Sequence, residues 1–189
     1  MSPLITFVDV SYSGSMAFAA CVTIDSWKNT ARRKVYLTGP IPVTEPYRPG
    51  QFYRRELPCI LRALEALPCE PNTVVVDGYV WTAAGKPGLG AELHDALGDS
   101  TAVIGVAKNP FRGAEDVSIE VRRGSSSRPL YVTAIGLPLA TAAQRIHEMS
   151  GAHRIPELVR LADAEAKAAL RIHLQPEVKE SCRSTMSKS

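Results

Sequence analysis

The chain has 189 residues, enough to bury one sizeable core, and its 45% hydrophobic and 22% charged content is that of an ordinary globular protein. A net charge of +3 tolerates a nucleic-acid partner without demanding one, and no apolar run reaches the roughly 18 residues of a membrane span. Cys21, Cys59, Cys69 and Cys182 form no C-x-x-C pair, which argues against a zinc site and for a reducing, cytoplasmic setting. The start, MSPLITFVDV, lacks the basic region and cleavage site of a secretory signal.

Taken in order, Ile5 to Tyr12 reads as a strand carrying Asp9 at its far end. Residues 16–24 form the next strand, joined to it by the turn Ser13–Gly14–Ser15, so the two pair antiparallel. Lys34 to Thr38 is a third strand after the basic patch Arg32–Arg33. GPIPVTEPYRPGQ follows, with four prolines and two glycines in thirteen residues, and predicts a stiff loop without regular structure. Tyr47 in that loop is either packed inward or offered to a ligand. An apolar stripe over 51–67 predicts a helix whose regular part starts close to Pro58, with Glu56 at its entrance.

Thr73 to Asp77 (TVVVD) is a second strand ending on a carboxylate, followed by Gly78. The glycine-rich stretch 78–90, with Trp81 and Lys86, predicts a mobile or substrate-facing loop. A short helix over 91–97 leads to the strand 101–107, which runs into Lys108. Exposed strand 117–122, a basic turn at 122–128, strand 130–135, helix 139–149 and helix 157–171 complete the pattern, and the tail after Pro176 is polar. An antiparallel meander followed by alternating helices and strands predicts an α/β protein with a mixed central sheet, antiparallel in its first three strands and flanked by helices, in the order of ribonuclease-H-like nucleases. Residues 1–174 read as one domain and 175–189 as a loose tail.

Burying an unpaired carboxylate is costly, and a metal ion is one good reason to do so. If Asp9 and Asp77 meet at one sheet edge, they make a divalent-cation site. Each also has a plainer reading, as a hydrogen-bonded strand end or an Asp-Gly turn. Glu56 could be an ordinary first-turn helix carboxylate, Asp163 a surface partner of Arg160 or Lys167, and Lys108 a strand-end lysine with its head in water. Arg32, Arg33, Arg122, Arg123 and Arg128 are either a basic track for nucleic acid or a solvated face.

Six strings in one order, VDVSY at 8–12, PYRPGQFYRRELP at 46–58, VVVDG at 74–78, VIGVAK at 103–108, PLYVTAIG at 129–136 and RIPELVRLAD at 154–163, resemble the endonuclease V family. The resemblance implies a ribonuclease-H-like fold and Mg²⁺-dependent cleavage of DNA or RNA near inosine, with Mn²⁺ able to substitute. It implies that Asp9, Glu56, Asp77 and Asp163 hold metal and that Lys108 belongs to the catalytic region. It further implies that Pro46–Tyr47–Arg48–Pro49 is a wedge between strands and that Gly136 lies near the base-recognition pocket. Arg48 and Lys86 could touch phosphates. The family usually carries a segment ending in His-Pro-Arg after the central Asp-Gly; here residues 79–88 read YVWTAAGKPG. A related nuclease of altered specificity, or a nucleic-acid-binding homologue without catalysis, are the alternatives. DNA or RNA is the expected partner of a monomer that needs no membrane and no obligate protein partner.

Overall fold

The computed structural model describes residues 3–27, 32–43 and 53–175. Its centre is a seven-stranded sheet. β1 (Ile5–Ser13) pairs antiparallel with β2 (Met16–Ile24), and β2 with the edge strand β3 (Arg33–Pro42). On the other side β1 pairs parallel with β4 (Thr73–Val76), which pairs parallel with β7 (Ala102–Ala107). β9 (Leu130–Ile135) runs antiparallel to β7, and β8 (Ile119–Val121) closes that side. The small strands β5 (Trp81–Ala83) and β6 (Lys86–Pro87) form a separate hairpin.

Strand periodicity of two sorts the side chains onto two cores. Val8, Val10, Val74, Val76 and Val103 face α1 (Tyr53–Leu64) and α2 (Leu89–Leu97). Ile5, Phe7, Val75, Ile104 and Val106 face α3 (Leu139–Glu148) and α4 (Glu157–Leu174). The inner strands are buried on both faces, which is why they read as continuous apolar runs rather than alternating ones.

Four sequence expectations need correction. β3 does not stop at Thr38 but continues through Gly39 to Pro42, because an edge strand tolerates proline where a central one does not. Gly39 is required there, since a Cβ would lie 2.4 Å from the Phe18 ring. Helix α1 starts at Tyr53, ahead of Pro58, which sits inside it; Glu56 remains in the first turn. The stretch 78–90 is not an open loop but holds the β5–β6 hairpin and the start of α2. Thr82 donates to the Lys86 carbonyl at 3.2 Å, and Tyr79 donates to the Asn109 carbonyl at 2.9 Å.

The fourth correction concerns Arg123, assigned above to a basic track or solvated face. It is only 5% exposed. Its guanidinium donates to the carbonyls of His147 (3.2 Å), His153 (3.1 Å), Ser150 (3.3 Å), Gly151 (3.3 Å) and Met149. It therefore holds the turn between α3 and α4 and satisfies carbonyls left over at the end of α3. The other basic residues are surface partners: Arg33 pairs with Glu157 at 2.5 Å, Arg122 with Glu120 at 3.3 Å, and Arg128 donates to Asn109 Oδ1 at 3.2 Å.

Arg123→Met is expected to destabilise the protein by about 3 kcal/mol, because several buried carbonyls lose a charged donor at once. Arg122→Met should change stability by less than about 0.5 kcal/mol. Urea denaturation of the two variants checks both values.

Candidate active site

The parallel register Val8↔Val76 places Asp9 and Asp77 next to one another on adjacent strands, about 4.8 Å apart along the hydrogen-bonding direction. Asp9 is not the end of its strand: β1 runs on to Ser13 against β2, and Asp9 lies at the point where β4 stops pairing. By strand parity Asp9 follows Phe7 and Asp77 follows Val75, so both belong to the face covered by α4. Lys108 follows Val106 on the same face at the end of β7. Asp163 comes down from α4, and Glu56, in the first turn of α1, reaches the same rim from the other face.

The four carboxylates act on one another electrically. Burial pushes the Asp9 carboxyl up to about 7. The Val10 amide, which donates to Asp9 Oδ1 at 2.9 Å, works against this, and the hydrogen bond to Asp163 and the charges of Asp77 and Asp163 add to it. Of the pair, Asp9 is the group that takes up a proton more readily than Asp163. Burial also pushes Glu56 up to about 8, helped by the charges of Asp9 and Asp77. For Asp163 burial again opposes ionisation, but the Lys167 ammonium at 2.6 Å, the hydrogen bond to Asp9 and the charge of Lys108 outweigh it and hold the carboxyl below its usual range.

Lys108 Nζ donates to Asp77 Oδ2 in a close ion pair. Burial alone would favour the neutral amine. The Asp77 hydrogen bond, with the charges of Asp77, Asp9 and Asp163, keeps it protonated and raises its pKa. Among the described residues, no three His, Cys, Asp or Glu side chains are drawn tightly enough to ligate one ion as they stand. Asp77 is turned to Lys108 and Asp163 to Lys167.

The residue types nevertheless suit a hard divalent cation. All four groups offer oxygen, none offers sulfur or imidazole, and for two of them burial and neighbouring like charges oppose ionisation, a penalty that an ion with two positive charges relieves. The set fits Mg²⁺ or Mn²⁺ and not a structural zinc.

The remaining expected site residues are distributed unevenly. Lys86 is exposed on β6, in the hairpin that follows Asp77. Tyr47 and Arg48 lie outside the described residues. Gly136 is not with the acids. Because β9 is antiparallel to β7, Gly136 sits beside Ala102 at the start of β7, roughly 20 Å along the sheet from Lys108. It is glycine because its φ is +79° and a Cβ would lie 2.9 Å from Ala102 Cα. Two residues passed over in the sequence do belong to the neighbourhood. The Tyr12 hydroxyl lies among Glu56, Cys59 and Arg55, and the Arg55 guanidinium covers the Tyr12 ring at 4.8 Å. Tyr12 stands in VDVSY and Arg55 in PYRPGQFYRRELP, but no spacing signal marked either as part of the site.

A mixed sheet whose first three strands are antiparallel, with acidic residues of β1 and α4 and a carboxylate just past β4 at one rim, defines the chain as a nuclease of the ribonuclease-H-like class. More narrowly, the Endonuclease V family model matches residues 2–164, and the chain belongs to that family. It is 36% identical to endonuclease V of Streptomyces coelicolor over 88% of this chain and 79% of that protein. The crystal structure of endonuclease V from Streptomyces avermitilis superposes with a TM-score of 0.78 at 30% identity, covering 92% of this chain and 84% of the other. Ciona intestinalis endonuclease V, in complex with DNA containing an inosine followed by a ribo-adenosine, shares the fold at a TM-score of 0.75 and 19% identity, covering 90% and 86%. Among the described residues no helix is long and apolar enough to cross a membrane.

Folding favours the protonated forms of Glu56 and Asp9, whose pKa values rise from about 4 in the unfolded chain. Their contribution is therefore full below about pH 4 and lost as pH climbs through about 7 to 8. The melting temperature of EDTA-treated protein is expected to fall between about pH 5.5 and 8.5, and Glu56→Gln should flatten that slope. Mn²⁺ at the alkaline end should restore the loss, as followed by differential scanning fluorimetry.

Proposed function

We propose that the chain is a divalent-metal-dependent endonuclease, using Mg²⁺ with Mn²⁺ as a substitute, that hydrolyses phosphodiester bonds in inosine-containing or otherwise damaged DNA or RNA. One observation carries the reading: Asp9, Glu56, Asp77 and Asp163, spread over 155 residues of sequence, interact at a single sheet rim. Asp9, Glu56, Asp77 and Asp163 would hold the metal, which when bound supplies an activated water and stabilises the leaving oxygen. The protein's own part is to keep oxygen donors in a shared, half-dry position. Lys108 adds a fixed positive charge beside them, suited to a phosphate oxygen. Lys86, on the hairpin next to Asp77, is placed to meet the backbone of a bound strand. Tyr47 and Arg48 supply the wedge by resemblance, with base stacking worth roughly 1–3 kcal/mol. Residues 1–174 act as one catalytic domain, as a monomer, in the cytoplasm.

The second reading, a nuclease of altered specificity, is favoured by one feature. The segment after the central Asp-Gly is built here as a hairpin anchored through Tyr79 to Asn109, on a sequence unlike the family's usual one. The inactive alternative is disfavoured, because acidic groups whose ionisation is opposed by burial and by their neighbours' charges would be a standing cost with nothing to relieve it.

Purified protein with Mn²⁺ or Mg²⁺ is expected to nick inosine-bearing oligonucleotides, and EDTA should abolish the product. Asp9→Asn and Asp77→Asn should each lower the rate by at least about 100-fold while leaving the fold intact. Cleavage of abasic, mismatched or flapped strands in preference to inosine would favour the second reading. Folded, metal-supplied protein that cuts none of these substrates would overturn both.

A further inference from the structure

Arg154, the first residue of the RIPELVRLAD string, ties the two halves of the site together, and nothing in that string announces this role. It lies in the turn before α4, the helix that carries Asp163. Its Nη2 donates to the carbonyl of Lys108 and, at 2.6 Å, to the carbonyl of Pro129. Lys108 is the first residue after β7, and Pro129 the last before β9. One guanidinium nitrogen therefore clamps the two strand ends at the rim.

Arg154 is itself held. The carbonyl of its neighbour His153 accepts from Arg123, whose other bonds fix the rest of the α3–α4 turn. Ile155 and Pro156 lead directly from Arg154 into α4. The chain of contacts thus runs from Arg123 through His153 and Arg154 to the backbone of Lys108, and from Lys108 Nζ to Asp77. The Arg154 Nε is buried and has no partner among the described residues. Leaving a guanidinium donor unsatisfied costs free energy. The side chain accepts that cost in order to reach the two carbonyls.

We propose that Arg154 is a positioning residue for Lys108: by clamping the Lys108 and Pro129 carbonyls it fixes where β7 ends, and so where the Lys108 ammonium stands relative to Asp77. Arg154 does not touch the carboxylates. Its effect on cleavage rests on the nuclease reading above, but its effect on the Lys108 backbone does not.

Hydrogen exchange followed by mass spectrometry separates the two. In Arg154→Ala, the peptide spanning residues 106–112 is expected to exchange about tenfold faster, while the α4 peptide 157–167 is unchanged. Arg154→Lys, which can still donate to both carbonyls, should restore most of the protection. If Arg154→Ala does not fold, Arg154→Gln, with one amide donor, takes its place in the same comparison. Unchanged exchange in 106–112, or acceleration of both peptides together, overturns the proposal. On an inosine-bearing strand, Arg154→Ala should slow single-turnover cleavage by about 10- to 100-fold, with the dissociation constant within about threefold of wild type. Loss of binding with an unchanged single-turnover rate would also overturn it. Wild-type protein that cleaves nothing, together with the expected exchange pattern, removes the nuclease reading and leaves the clamp standing.

Discussion

The structure depends on a repulsion that its core is strong enough to impose. Four carboxylates are brought to one rim of a sheet where water is scarce; burial raises the pKa of Asp9 and Glu56, and Lys108 and Lys167 stand as partners to Asp77 and Asp163. No local preference would produce this arrangement. It exists because β1, β4 and α4 are fixed by apolar packing on both sheet faces, and that packing is far larger than the penalty at the rim. The same penalty would add to the affinity of a hard cation held there, since relief of repulsion contributes to the binding of the ion.

Much of this was legible in the sequence, and the reason is geometric. In a strand the side-chain period is two, so Phe7–Asp9, Val75–Asp77 and Val106–Lys108 report the same thing: an apolar residue on one face, then a charged residue on that face, within β1 for Asp9 and just past the strand end for Asp77 and Lys108. Three such pairs on neighbouring strands predict one charged rim. Glu56 was placed correctly at the entrance of its helix although the start of that helix was not, because Pro58 within the helix looked like its beginning.

Other features left no trace that pattern reading could find. The β5–β6 hairpin is short and its strands are half-buried or exposed, so glycines dominated its appearance. Gly136 was linked to the base-recognition pocket by a string, and a string does not say how far it stands from the acids; the antiparallel register of β7 and β9 does. Arg123 and Arg154 act on backbone carbonyls, and every residue has one of those. A buried arginine serving carbonyls therefore looks the same in sequence as a solvated one.

The outer strand β3 has a consequence of another kind. Among the described residues no strand pairs with its far side, and Val35 and Leu37 stand 42% and 52% exposed along it. Such a border invites another extended chain to zip onto it. Pro40 and Pro42 deny amide donors to half of the strand, and Arg33 and Lys34 place positive charge at the other end. What remains open is a window only a few residues wide. It is too short to seed long cross-strand stacking, yet apolar enough to contribute to colloidal behaviour at high concentration, at the border of the sheet most distant in strand order from β8.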